Sequence, residues 1–94
     1  MRAIWSEEAQ NDLVLLWSTV AIDDVSAADR TVDRIDAMAD LIAGQPGMGR
    51  AREDLARGLR SFAVSSWVLF YRLAGGSIEV VRILHGRRDH GAVF

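Results

Sequence analysis

The residues best suited to chemistry form one charged run near the C-terminus, His85-Gly86-Arg87-Arg88-Asp89. A histidine can exchange a proton near neutral pH, and arginines bind carboxylates or phosphates through paired hydrogen bonds. The run therefore suits either acid–base catalysis or recognition of an anionic partner. Two structural alternatives stay open. His85 could close a strand through hydrogen bonds to backbone, and the arginines could form a solvated ion pair with Asp89.

No other motif for catalysis or metal binding is recognisable. His85 and His90 are five residues apart without a carboxylate at zinc-site spacing, and cysteine is absent. No glycine-rich phosphate loop follows a strand, and no nucleophile lies in a pattern with a base. We therefore expect neither a metal nor a cofactor. The net charge of −2 argues against a protein whose main task is to grip a phosphate backbone. The lack of cysteine and of a long apolar run favours a cytoplasmic location.

A β-hairpin must position the charged run. Residues 60–72 and 78–85 are rich in β-branched and aromatic side chains, and Gly75-Gly76 suits a two-residue turn with positive φ. The pairs expected from that turn are Leu73 with Ile78, Arg72 with Glu79, Tyr71 with Val80, Phe70 with Val81 and Val68 with Ile83.

Both faces of this hairpin are apolar, because side chains alternate along a strand and few polar residues interrupt the pattern. One face is predicted to carry Trp67, Leu69, Tyr71, Leu73, Ile78, Val80 and Leu84, interrupted by Arg82. The other is predicted to carry Val68, Phe70, Val81 and Ile83, with Arg72, Glu79 and His85 toward its ends.

Two helices precede the hairpin. Ser6 is a good N-cap for the first helix, and the second is predicted from near Ser26 to Gly44, ending in a left-handed glycine. Residues 44–58 are a glycine-rich connector. The order β-α-α-loop-β-β-β predicts one α+β domain over residues 1–94, with a helical hairpin packed on one face of an antiparallel sheet.

The predicted core joins this helical hairpin to the more continuous apolar sheet face. Its expected members are Trp67, Leu69, Tyr71, Val80 and Leu84 on the sheet, and Leu13, Leu16, Trp17, Val32, Ile35 and Ala39 on the helices. Because a buried, unpaired guanidinium is costly, we expect Arg82 to pair with Asp12.

Two helices cover only one face of such a sheet, so the second apolar face needs another cover. A large exposed apolar patch usually marks a binding surface, which favours a partner or another copy of the same chain. The alternative is that the connector 44–58 and the C-terminal tail fold over it.

Several short motifs, taken in order, resemble the ParE branch of the ParE/RelE toxin superfamily. They are Ser6-Glu7-Glu8-Ala9 with Asp12-Leu13, Pro46-Gly47-Met48-Gly49-Arg50, Gly58-Leu59-Arg60, Phe70-Tyr71-Arg72 and Ile83-Leu84-His85-Gly86-Arg87-Arg88-Asp89. The resemblance implies a RelE-like fold, a toxin of a bacterial type II toxin–antitoxin module, a ParD-type antitoxin as partner, and DNA gyrase as target.

Two other functions remain open from the resemblance. The RelE branch consists of ribosome-dependent mRNA endonucleases, which use basic side chains on the sheet. Here Arg60 and Arg87 match such positions, whereas Phe62 and Val68 stand where those enzymes have a lysine and an arginine, and no tyrosine follows Asp89. We therefore expect no RNase activity. A non-toxic antitoxin-binding module is the other possibility.

The expected antitoxin surface is the second apolar face with an arginine rim. Its predicted residues are Phe62, Val68, Phe70, Val81, Ile83, Arg60 and Arg72. His85, Arg87 and Arg88 are predicted to contact either the target or the antitoxin.

Overall fold

The structure, a computed structural model, describes residues 2–94. Two helices pack on one face of a five-stranded sheet, which confirms the predicted α+β architecture and the order β-α-α-β-β-β, with one further two-residue strand, Arg50–Ala51, in the predicted connector. The elements are β1 (Ile4–Trp5), α1 (Glu7–Ala21), α2 (Val25–Gly44), β2 (Arg50–Ala51), β3 (Arg60–Val64), β4 (Trp67–Ala74) and β5 (Ser77–His85), with single 3-10 turns at Pro46–Met48 and His90–Ala92.

Side-chain caps fix where both helices begin. The Ser6 hydroxyl accepts from the Ala9 N–H at 3.0 Å and also donates to the Val81 carbonyl at 2.8 Å. It therefore caps α1, as predicted, and fastens the helix to the sheet. The Asp24 carboxylate caps α2 by accepting from the Ala27 N–H. The prediction of a left-handed Gly44 is wrong, since α2 includes Gly44 and Gln45 caps it with φ −142°.

The strand order is β1-β5-β4-β3-β2. Strands β3 to β5 are antiparallel neighbours, as expected, and β2, which was not predicted, pairs antiparallel to β3, whereas β1 pairs parallel to β5. The sheet is therefore mixed, and the prediction of a fully antiparallel sheet is wrong for β1. A tight hairpin would force antiparallel pairing, but two helices separate β1 from the other strands and remove that constraint.

A β-bulge between Phe70 and Tyr71 changes the register of the central hairpin. The pairs nearest the Gly75-Gly76 turn are those predicted, up to Tyr71 with Val80. Beyond them, Phe70 lies opposite Arg82 and Val68 opposite Leu84, not opposite Val81 and Ile83 as predicted. Because a strand's side chains alternate, this one-residue shift exchanges the faces of Ile83 and Leu84.

The main core lies between the helices and the sheet face that they cover, as predicted. Its buried members include Leu16, Ile35 and Ala39 from the helices and Leu69, Tyr71 and Val80 from the sheet, with Trp67, Leu13 and Val32 packed against them. Two expected members are absent. Leu84 lies on the opposite face because of the bulge, and Trp17 is 38% exposed, with its indole N–H donating to Asp29.

The predicted pairing of Arg82 with Asp12 is confirmed. Arg82 Nε and Nη2 donate to the two carboxylate oxygens at 2.7 and 3.0 Å, and this bonding raises the pKa of Arg82. One Asp12 oxygen also accepts from the Ile83 N–H at 2.9 Å, beyond the point where β1 stops pairing with β5. Asp12 therefore satisfies a backbone donor that the sheet leaves unpaired. In residues 2–94, no helix is long and apolar enough to span a bilayer.

Candidate partner-binding surface

A second apolar cluster occupies the sheet face away from the helices, called here the open face. Leu59, Phe70 and Leu84 are buried in it, and Phe70 has no exposed surface. The cover comes from Leu55, Ala56, Val93 and Phe94, with Val68 and Val81 alongside. The connector and the C-terminal tail thus fold over this face, as the alternative interpretation held.

Phe70 is the centre of this cover. The Phe94 and His90 rings each lie with their centroid 5.0 Å from that of Phe70, and the Arg52 guanidinium carbon lies 5.9 Å from it. Aromatic packing and a cation–π contact therefore surround the ring. A partner cannot reach Phe70 unless the tail moves.

Two residues predicted for the open face lie on the other one. Phe62 pairs with Leu69 and packs against the main core, so its placement on the open face was wrong. Ile83 is 3% exposed in the same core because the bulge turns it toward the helices. Val68 and Val81 do lie on the open face, where both are half-buried.

The predicted rim arginines have specific partners. Arg72 is exposed and pairs with Glu79, with a nitrogen–oxygen distance of 3.0 Å. Arg60 lies opposite Tyr71, so it belongs to the helix-covered side of the sheet and not to the open face. Its Nη1 donates to the Gly49 carbonyl at 2.6 Å.

The loop that receives Arg60 is held by the hydroxyl of Tyr71. That oxygen accepts from the Gly49 N–H at 2.8 Å and donates to the Pro46 carbonyl at 2.7 Å. A Cβ at Gly49 would collide with the Tyr71 ring, so only glycine fits this approach. Burial raises the pKa of Tyr71, which keeps the hydroxyl protonated and able to donate.

A shallow groove of about 350 Å³ lies beside this loop, at the end of the sheet that carries the β4–β5 turn. Arg57, Arg60 and Arg72 line it together with one acid, Glu53, whose carboxylate accepts from the Gly58 N–H. The groove therefore places three guanidinium groups where a carboxylate-bearing segment could bind.

His85 closes β5 through hydrogen bonds to backbone. Its Nδ1 accepts from the Arg87 N–H at 3.1 Å, and its carbonyl is 3.0 Å from Nε2 of His90. The ring stands edge-on to Trp67, with centroids 5.1 Å apart. This geometry matches the structural alternative for His85. Arg87 and Arg88 are exposed. Among the described residues, no carboxylate oxygen lies within 4.0 Å of either guanidinium.

Charge is divided between the two halves of the chain. Residues 1–48 hold nine acidic and three basic residues, whereas residues 49–94 hold eight basic and four acidic ones. Both helices belong to the acidic half, and strands β2 to β5 belong to the basic half. An anionic partner is therefore drawn to the strand-bearing half.

Arg60 and Arg87, the two arginines that match basic positions of the RelE branch, do not lie together. Arg60 begins β3, whereas Gly86, next to Arg87, donates to Ser66 just beyond the end of β3. The length of β3, about 13 Å at 3.3 Å per residue, separates the two arginines. Across residues 2–94, no three His, Asp or Glu side chains are grouped so that they could hold a metal ion.

Sequence reasoning missed Arg52, Leu59 and Phe94 as parts of this surface. The sequence does carry a signal for Leu59 and Phe94. Each is a large apolar residue next to or within a segment predicted as a connector or tail, which suggests that the segment packs against the sheet. Arg52 had none, because its position over Phe70 depends on the path of the connector.

Fold and sequence comparisons agree on the class of protein. The fold is RelE-like α+β, and it is similar to that of a solved chain of the "Chromosomal ParDE TA system from P. aeruginosa". The TM-score is 0.75 at 22% identity, covering 90% of this chain and 95% of that one.

The family follows from sequence. The family model described as "ParE toxin of type II toxin-antitoxin system, parDE" matches residues 3–90. "Toxin ParE3" of Caulobacter vibrioides is 34% identical over 92 residues, covering 97% of this chain and 92% of the relative. "Toxin ParE1" of Mycobacterium tuberculosis is 36% identical over 90 residues, covering 94% and 92%. The chain belongs to the ParE toxin family of type II toxin–antitoxin systems.

Proposed function

We propose that this toxin inhibits DNA gyrase, and so replication, by binding and without catalysis, in the cytoplasm, and that a ParD-type antitoxin neutralises it. Membership of the ParE family supports the partner and the target. The observation that carries the non-catalytic mode is the separation of Arg60 from Arg87. Arg60 is bonded to the Gly49 carbonyl, and Arg87 lies near the far end of β3. Two guanidinium groups so placed cannot stabilise one transition state together.

Purified toxin should be assayed in parallel for gyrase supercoiling and for ribosome-dependent mRNA cleavage. We expect inhibition of supercoiling, reversed by the cognate antitoxin, and intact mRNA. In cells, induction should give DNA damage signalling and filamentation. Codon-specific cuts in mRNA within minutes of induction would instead establish the RNase alternative. Neither effect, with antitoxin binding retained, would identify a non-toxic binding module.

The proposed antitoxin surface keeps the open face but changes the residues in contact. Val68 and Val81 remain accessible there, with Arg72, Arg87 and Arg88 near its ends and Arg60 in the adjoining groove. Phe70 supports this surface from below, while Phe62 and Ile83 belong to the core behind it. An acidic, amphipathic segment of the antitoxin has the complementary chemistry.

Calorimetry with the cognate antitoxin tests this surface. Val68→Asp adds a charge that would have to be desolvated in the apolar contact, so affinity should fall at least about tenfold. Leu41→Asp is the matched control, because Leu41 is 51% exposed on α2, away from the sheet. Arg88→Ala should cost less than about 1 kcal/mol, as expected for a solvated ion pair. Equal affinities for the Val68→Asp variant and the parent would place the antitoxin elsewhere.

A further inference from the structure

Helix α1 is apolar on two sides, and only one of them is covered. Leu16 is 1% exposed, whereas its neighbour Leu15 is 64% exposed. Val14 and Ile22 share this outward side at 66% and 82% exposed, and Val25 follows at 55% in the first turn of α2. We call Val14, Leu15, Ile22 and Val25 the outer stripe. Leu15 and Ile22 are seven residues apart, so they lie two turns apart on the same side of the helix.

The two hydroxyl side chains beside the outer stripe, Ser18 and Thr19, already have partners. The Ser18 hydroxyl donates to the Val14 carbonyl at 2.9 Å, and the Thr19 hydroxyl donates to the Leu15 carbonyl at 2.8 Å. Both hydroxyl donors would keep these acceptors if a partner covered them. Burial of the outer stripe therefore carries little of the penalty that unpaired polar groups impose.

Carboxylates stand at both ends of the outer stripe. Glu7 and Glu8 lie at the start of α1, and Asp23 and Asp24 follow its end, all of them exposed. Asp24 serves as the α2 cap, and the carboxylates of Glu7 and Glu8 also interact favourably with the positive end of the α1 dipole. Among the described residues, however, none of these four lies within 4.0 Å of a basic group, although Glu8 acts at longer range on Arg82 and helps to raise the pKa of that guanidinium. No basic residue occurs between Arg2 and Arg30.

We infer that the outer stripe docks an amphipathic helix of a partner protein that carries basic residues at both ends of its apolar side. The span from Glu8 to Asp23 is about 22 Å at 1.5 Å per residue, which matches a helix of about 15 residues. Leucine-sized side chains would fill the stripe, and lysine or arginine at each end would pair with the carboxylates.

Charge separates this occupant from the other candidates. A second copy docked antiparallel through a two-fold axis would set Glu7 and Glu8 against the partner copy's Asp23 and Asp24, which repels. The acidic segment proposed for the open face would meet the same repulsion here. The outer stripe thus suits a basic partner, whereas the basic half of the chain suits an acidic one. The inference does not depend on which target the toxin inhibits.

Two synthetic helices of about 15 residues test the inference against the full chain. Both carry the same leucine stripe, but one has lysines and the other glutamates at the ends. We expect the lysine peptide to bind and the glutamate peptide not to bind. Leu15→Gln with Ile22→Gln should weaken the lysine peptide at least about tenfold, since two apolar contacts are lost. Glu8→Gln with Asp23→Asn should weaken it at low salt and have little effect at high salt.

Leu73→Gln is the matched control, because Leu73 is 67% exposed on β4 and lies outside the outer stripe. It should leave peptide binding unchanged. Three results would overturn the inference: no binding of the lysine peptide, equal binding of both peptides, or light scattering that shows a dimer of the chain lost in the Leu15→Gln, Ile22→Gln variant. Circular dichroism of each variant separates lost docking from lost folding.

Discussion

Removing one hydroxyl group, by Tyr71→Phe, should loosen the loop that holds Arg60. The Tyr71 oxygen makes two hydrogen bonds, from the Gly49 N–H and to the Pro46 carbonyl, and the residue is 0% exposed. Phenylalanine fits the same space but leaves the Gly49 donor unpaired in a buried place, which costs about 1–3 kcal/mol. We expect a loss of about 2 kcal/mol in the free energy of unfolding. For a domain of this length that corresponds to about 8–16 °C in Tm.

Urea denaturation followed by tryptophan fluorescence measures this loss. The midpoint should fall without a change in slope, because the surface exposed on unfolding is nearly the same. Ser18→Ala is the matched control, since it also removes a hydroxyl bonded to a backbone carbonyl, but at an exposed site. It should stay within about 0.5 kcal/mol of the parent. Equal losses for Tyr71→Phe and Ser18→Ala would refute the role given to the Tyr71 hydroxyl.

Alkaline pH gives an independent check of the same hydroxyl. Burial raises the pKa of Tyr71 in the folded chain above its ordinary value of about 10. The unfolded chain therefore ionises first, so stability is full below pH 10 and falls as pH rises through the folded pKa. The chain has one tyrosine, no lysine and no cysteine, so no other side chain titrates in this range. This loss of stability above pH 10 should be absent in the Tyr71→Phe variant. If it persists there, ionisation of the Tyr71 hydroxyl is not its cause.

Three further substitutions follow from the packing. Gly49→Ala should lower the urea midpoint far more than Gly47→Ala, because a Cβ at Gly49 meets the Tyr71 ring whereas one at Gly47 meets open space. Phe70→Ala should cost about 3–5 kcal/mol of folding free energy by leaving a cavity under the tail, measured by denaturation of the free toxin. A loss of antitoxin affinity in that variant without this destabilisation would mean that the tail does not cover Phe70. Asp12→Ala should cost about 2–4 kcal/mol because Arg82 and the Ile83 N–H lose their acceptor in a partly buried site, whereas Asp54→Ala, which removes a carboxylate side chain that is 61% exposed, should cost far less.

Local signals in the sequence were sufficient for most of the fold. The Ser6 cap and the Gly75-Gly76 turn depend on residues close in the chain, and both occur as predicted, with φ positive at each glycine. The pairing of Arg82 with Asp12 was also predictable, because a guanidinium interrupting an apolar strand needs a nearby carboxylate. Each of these inferences rests on one rule of local geometry or charge.

The bulge was not predictable from alternation. Val80-Val81 gives no sign that a residue is to be skipped, since valine suits either face of a strand. The shift is associated instead with the edge of β5, where Ser6 bonds to the Val81 carbonyl and Asp12 to the Ile83 N–H. These contacts come from α1 and its N-cap, which are remote in sequence. The predicted faces of Ile83 and Leu84 and the predicted pairing of Ile83 with Val68 failed for this reason.

Apolar patterning shows which surfaces are to be covered but not what covers them. The sequence predicts a partner site on the open face of β4 because the helices cannot reach it, yet Phe94 and the connector bury Phe70 there. Leu15 presents the reverse case, since it adjoins a buried residue in the chain and has no cover from residues 2–94. Sequence alone cannot separate these cases, because both depend on where a distant segment returns. A partner-binding surface of this toxin is therefore to be sought where apolar side chains remain exposed in the folded chain, and the outer stripe is one such place on the helical layer.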